Sequence, residues 1–167
     1  VSLRRVIFTT RAERQIGKSV VLALFSQSTI AHRRHQLQGV LAFTGTHFFQ
    51  VVEGLADDIA KVIALVQADR RNRELRVLCD APVGKRRFSQ WTTVCVASPA
   101  LAQGIARAHA DDLGCAAAAT LVDQLVQDAS LDALDPTVRR CATLGACGAM
   151  LDLLTTPGQQ VVTGACG

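Results

Sequence analysis

The sequence contains no tyrosine and one tryptophan, and only 4% of its residues are aromatic. No phenol is therefore available anywhere to donate a hydrogen bond or lose a proton, and few rings remain on which nucleic-acid bases could stack. No run approaches the roughly 18 consecutive apolar residues of a membrane span. The amino terminus also lacks the basic, apolar, small-residue order of a signal peptide, so no membrane association is expected and the cytoplasm is the default. No CxxC pair occurs among six scattered cysteines, which are expected to be reduced and mostly packed. A redox or metal role for Cys141, Cys147 and Cys166 is the alternative, against which stand the absence of a nearby histidine and a spacing that matches no common zinc pattern. No GxSxG setting surrounds any serine, and no cysteine has a histidine motif beside it. An arranged nucleophile and base are thus missing, and the chain is not expected to be an enzyme.

With 49% apolar residues, a net charge of +4 and 167 residues, the composition fits a globular domain with an appendage. "LRRVIFTT" reads as a strand, and residues 13–31 as a helix with Val20, Val21, Leu24 and Phe25 at helical spacing. "LQGVLAFTG" and "THFFQVVEG" form a hairpin about Gly45. "ADDIAKVIALVQADRR" reads as a second helix, acidic at its start and basic at its end. "ELRVLCDAP" and "QWTTVCVAS" supply two more strands around the basic loop "VGKRRF". The order β-α-β-β-α-β-β predicts an α+β fold, a ferredoxin-like split βαβ sandwich with both helices on one face and an added strand. Residues 99–167 turn alanine-rich and read as a helical extension, with helices expected at 99–110, 115–128 and 136–154, the last opened by Asp135 and Pro136. Packing on the open sheet face or on a second protomer would bury them.

Within "FFQVVEG", Gln50 shares a strand face with Phe48 and Val52 and must point where they do, into a buried layer. Leaving one of its amide atoms unmet there costs roughly 1–3 kcal/mol, so a polar partner is required, from the protein or from a ligand. Trp91 reads as a core anchor or as part of a site. Arg71 in "DRRN" is a solvated helix-end cation or a ligand donor, and Asp69 its partner or merely the last acid of the helix. His32, His35 and His47 lack a carboxylate at ligand spacing, and two arginines interrupt "HRRH", so no metal site is expected. The runs "HRRH", "RRNR" and "GKRRF" are solvated faces or a phosphate-binding surface; direct nucleic-acid binding is not expected.

"HQLQGVLAFTGTHFFQVVEG", "ADRRNRELRVL" and "KRRFSQW", in this order, resemble the BLUF family of bacterial blue-light sensors, in wording close to the short photosynthesis-antirepressor members. The resemblance covers about residues 3–98. It implies a flavin, FAD or FMN, between the two helices and the sheet of a unit at residues 1–98. It would make Gln50 the glutamine beside flavin N5 and the C4 carbonyl, and Arg71 the donor to the C2 carbonyl. His32, Phe8, Thr10, Trp91 and Asp69 would complete the cofactor-binding set. Signalling would run through a homo-oligomer or a regulatory protein partner.

The chain departs from the family pattern at two positions. Phe8 stands where the family has its electron-donating tyrosine, so the usual photocycle is expected to be impaired. His32 stands where an asparagine pairs with the flavin C4 carbonyl and N3 hydrogen; imidazole offers one donor and one acceptor on opposite sides and cannot copy that side-by-side face. Gln38 also replaces the usual threonine before Gly39. The alternative reading is a degenerate, flavin-free BLUF module that acts as a protein-interaction regulator.

Overall fold

The computed structural model describes residues 2–129, except residues 15 and 112. The elements are β1 (Leu3–Ala12), α1 (Lys18–Arg34), β2 (Gln38–Phe43), β3 (His47–Leu55), α2 (Ala56–Ala68), β4 (Asn72–Pro82), β5 (Trp91–Cys95), α3 (Pro99–Asp111) and α4 (Gly114–Ala129). The sheet order is β4-β1-β3-β2-β5. β1 runs antiparallel to β3 and β4, and β2 antiparallel to β3, while β5 joins the far edge parallel to β2. This is the expected ferredoxin-like arrangement with its extra strand.

Side-chain alternation divides the sheet into two buried faces. On one, Val6 and Phe8 of β1 and Val52 of β3 pack with Ile59 and Val62 of α2, while Leu41 and Phe48 pack with Val21 and Leu24 of α1. On the other, Ile7, Phe49 and Val51 join Ile105 of α3 and Leu121 and Leu125 of α4 in a continuous core. Burying each such side chain contributes about 1.5–3 kcal/mol, which explains why strands of this sheet are apolar on both sides rather than alternating. Gly39, at φ +141°, allows the close approach of β2 to β3: a Cβ there would lie 1.8 Å from the Val51 carbonyl oxygen. Gly45 turns the hairpin at φ 97°.

Several expectations need correction. α1 starts at Lys18 and not at residue 13, because the Glu13 backbone N–H still donates to the Arg71 carbonyl and Gly17, the N-cap, is extended. α2 ends at Ala68, so Arg70 and Arg71 do not complement its dipole; extended Asp69 closes the helix and leads into β4. Cys79 and Cys115 are not reduced thiols but form a disulfide, with Cα atoms 4.6 Å apart. These two lie 36 residues apart, on edge strand β4 and in the first turn of α4, and only the docking of α4 on the sheet brings them together. The expected helix at 136–154 and the cysteines at 141, 147 and 166 lie outside the described residues.

Candidate functional site

α1 and α2 stand side by side on the sheet, and a cavity of about 270 Å³ opens between them. Leu24 and Ala31 of α1 wall one side, Val62 and Val66 of α2 the other, and Leu41 and Phe48 the sheet end. The volume is close to the lower end of the roughly 300–1,000 Å³ typical of small-molecule sites.

His32 lies on the inward stripe of α1 defined by Val21, Leu24 and Ser28, and is 1% exposed. Its Nδ1 is 2.6 Å from the Ser28 carbonyl oxygen. A carbonyl only accepts, so Nδ1 carries the hydrogen and Nε2 carries a lone pair. Burial lowers the His32 pKa to about 4, the Ser28 bond opposing that shift, and the ring is therefore neutral at pH 7. Trp91 stacks against it with ring centroids 3.4 Å apart, and donates from Nε1 to Ser28 Oγ at 3.2 Å. The indole thus anchors β5 to α1 and fixes the imidazole from behind.

Gln50 reaches the same cavity from β3. Its cross-strand partners are Phe8 of β1 and Leu41 of β2, both buried and without a polar side-chain atom to offer. Among the described residues, His32 Nε2 and Gln50 Oε1 are the buried side-chain nitrogen and oxygen atoms left without a hydrogen-bond partner. Both belong to residues lining this cavity. Two unmet acceptors there would each cost about 1–3 kcal/mol, unlike the apolar atoms around them.

The rim is polar. Arg71 Nε lies 2.9 Å and Nη2 2.7 Å from the carboxylate oxygens of Asp69, and Nη2 also donates to Gln27 Oε1 at 2.6 Å. The guanidinium beside it holds the Asp69 carboxyl below its usual pKa. Thr10 donates to Asn72 Oδ1 at 2.9 Å, leaving the Asn72 amide hydrogens available at the cavity edge.

Of the residues singled out in the sequence, Gln50, His32 and Asp69 line the cavity directly. Phe8, Trp91, Thr10 and Arg71 stand one contact behind it, against Gln50, His32, Asn72 and Asp69 respectively. Gln27, Ser28 and Asn72 were not singled out; helical spacing of four between Ser28 and His32 was the available signal for one of them. His47 faces the other side, with its ring 4.9 Å from that of His109 on α3. The basic runs supply ion pairs: Arg73 with Glu13, and Arg87 with Asp123 of α4.

The glutamate of "FFQVVEG" also has an assigned place. Glu53 is wholly buried. It accepts from Arg5 Nε at 2.6 Å and from the backbone N–H groups of Arg87 and Phe88 at 2.8 and 3.1 Å. Carboxylate and loop thereby fix the segment that leads into Trp91.

A family model described as BLUF, sensors of blue-light using FAD, matches residues 3–94. The photoactivated adenylate cyclase subunit beta of Euglena gracilis is 26% identical over 92 residues, covering 54% of this chain and 11% of that protein. The chain therefore spans only about a tenth of the length of that curated relative. Among solved structures, BlrB, a BLUF protein in its dark state, superposes with a TM-score of 0.62 at 21% identity, covering 78% of this chain and 98% of that one. Klebsiella pneumoniae BlrP1, solved with FMN and cyclic diGMP, superposes with a TM-score of 0.51 at 23% identity, covering 56% of this chain and 26% of that one. These last two likenesses concern the fold.

Proposed function

The chain belongs to the BLUF family, sensors of blue light using FAD, and from that premise we propose that the cavity between α1 and α2 holds a flavin ring in a sensory or regulatory module whose usual tyrosine-dependent photocycle is impaired. The observation that carries this reading is the pair of unpartnered atoms, His32 Nε2 and Gln50 Oε1, on residues lining a cleft with aliphatic walls and a polar rim. Such a cleft fits a flat heteroaromatic ring with a hydrogen-bonding edge: aliphatic walls would cover its faces, and the His32 and Gln50 side chains would meet its edge. Bound flavin would supply blue-light absorption and electron exchange.

The protein's own groups orient that ring. Gln50 and His32 would hold its polar edge, and Asp69 would hold Arg71 at the rim, where the guanidinium remains cationic and presents a planar fork. Phe8 would line the site without donating a proton. Trp91 and Thr10 would act through His32 and Asn72, the residues they contact. Residues 1–98 form the flavin-binding unit in this reading, with residues 99–167 as its helical extension. The module has no chemistry of its own beyond the flavin and acts in the cytoplasm on a second copy of itself or on a regulatory protein.

The test is the visible spectrum of the purified protein, with FAD or FMN added if it is colourless, before and after blue illumination. Bound oxidised flavin without a light-induced red shift is the expected result. A normal red shift refutes the impaired photocycle. Failure to retain either flavin refutes cofactor binding and leaves a protein-interaction module.

A further inference from the structure

We infer that Cys79 and Cys115 form a thiol–disulfide exchange site for a small thiol of the glutathione class, and that opening their bond releases the first turn of α4 from the edge of the sheet. This site is separate from the cavity between α1 and α2 and does not depend on what that cavity binds. Cys79 lies on β4, the outermost strand beside β1, and Cys115 in the first turn of α4. Cys79 is half-buried against the core and Cys115 is exposed, so the bond lies at the protein surface, within reach of a small thiol.

Two features of this turn favour opening. The first is electrostatic. The opening N–H groups of a helix have no intrahelical acceptor and carry the positive end of its dipole, which stabilises a thiolate released there. α4 is 16 residues long and has no acidic residue in its first turn to oppose that field. A thiolate stabilised in this way leaves faster and favours the reduced form. The second feature is mechanical. The inward stripe of α4 begins at Ala118 and continues through Leu121, Val122, Leu125 and Val126, so the core holds the helix from its second turn onward. Before that stripe Ala116 is exposed, and a Cβ added at Gly114, φ +76°, would meet no atom within 4 Å. Among the described residues, the first ion pair along α4 is that of Asp123 with Arg87. The disulfide is therefore the tether of this turn, and cutting it lets the two sulfurs separate rather than stay poised to reclose.

The exchange balances with glutathione alone. A glutathione thiolate attacks one sulfur, forming a mixed disulfide and expelling the other as a thiolate, which takes a proton from solvent. A second glutathione thiolate attacks the glutathione sulfur of the mixed disulfide, giving glutathione disulfide and the second protein thiol. Two electrons thus pass from two glutathione thiols to the cystine, and glutathione disulfide runs the sequence backward. Exposed disulfides of reducing compartments have this transient character, unlike the structural ones of secreted proteins.

The experiment equilibrates the full chain, without denaturant, in anaerobic glutathione buffers of graded thiol-to-disulfide ratio. Acid quenching, alkylation and peptide mapping then separate Cys79 and Cys115 from the remaining four cysteines. Hydrogen exchange on the same samples reads residues 118–120, whose N–H groups bond the carbonyls of the first turn, against residues 124–126 further along α4. The expected result is a reversible transition of the Cys79–Cys115 bond within physiological glutathione ratios, with exchange at 118–120 rising about tenfold or more on reduction and that at 124–126 changing less than about threefold. The Cys79→Ser/Cys115→Ser double variant should show the faster exchange in every buffer, which assigns the effect to this pair. If that variant fails to fold, the reduced natural chain carries the same comparison. A bond that glutathione opens only after urea unfolds the chain overturns the inference, as does a reduced chain whose residues 118–120 exchange no faster than those of the oxidised one. A pair that remains as thiols in excess glutathione disulfide overturns it as well.

Discussion

Replacing Phe8 by tyrosine adds one hydroxyl to a position that is wholly buried, directly across the β1–β3 ladder from Gln50. Directly opposed residues on one sheet face have Cβ atoms about 4.5–5.5 Å apart, within reach of a phenol and a carboxamide. If the hydroxyl found no partner, its burial would cost about 1–3 kcal/mol; if it donates to the unpartnered Gln50 Oε1, the variant gains about 0.5–1.5 kcal/mol. The second case is expected in the natural background, and the first in a Gln50→Leu background. The coupling free energy between positions 8 and 50 should therefore be about 1.5–4.5 kcal/mol, the difference between those outcomes. Urea denaturation at 25 °C of the flavin-free chain, the two single variants and the double variant gives this number directly. A coupling below about 0.5 kcal/mol, the usual additivity error, would show that the two side chains do not meet, and would withdraw the account of Phe8 as the reason Gln50 lacks a partner.

Three other perturbations have expected outcomes. His32 has a folded pKa of about 4 against 6.5 in a model peptide, so the unfolded chain binds more protons between these values. Its contribution is fully present above pH 6.5 and is lost toward pH 4, about 3 kcal/mol in all; denaturation across that window should show the slope in the flavin-free chain and a smaller one in His32→Asn. Glu53→Ala removes the acceptor for Arg5 and for two backbone N–H groups, and should cost about 3 kcal/mol by the same denaturation assay; a loss under about 1 kcal/mol would mean that the loop holds itself. Replacing both Cys79 and Cys115 by serine opens a link across 36 residues and should lower stability by about 4 kcal/mol on the chain-entropy account, with thiol titration of the unfolded, unreduced parent showing two fewer reactive groups than the reduced parent.

Period and turn chemistry made the sheet legible, since alternation in "FFQVVEG" and helical spacing in "ADDIAKVIALVQ" are local signals. The pairing of Cys79 with Cys115 was not legible, because it depends on where α4 docks, and that docking is decided by a core assembled from residues far apart in the chain. The same limit applies to Glu53. Its partners include two backbone groups from a loop more than thirty residues later, which no side-chain motif announces.

His32 shows the limit most sharply. The sequence shows a histidine and hence a donor and an acceptor, but which nitrogen is left unpartnered depends on α1 being helical at Ser28, four residues earlier, where the carbonyl claims Nδ1. An asparagine at the same place could still turn its amide to suit a ligand. The imidazole, committed on one side and stacked by Trp91, retains a single acceptor to offer. A substitution that reads in sequence as the loss of a flavin contact is therefore, in the fold, a change in which hydrogen-bonding partner the pocket can accept.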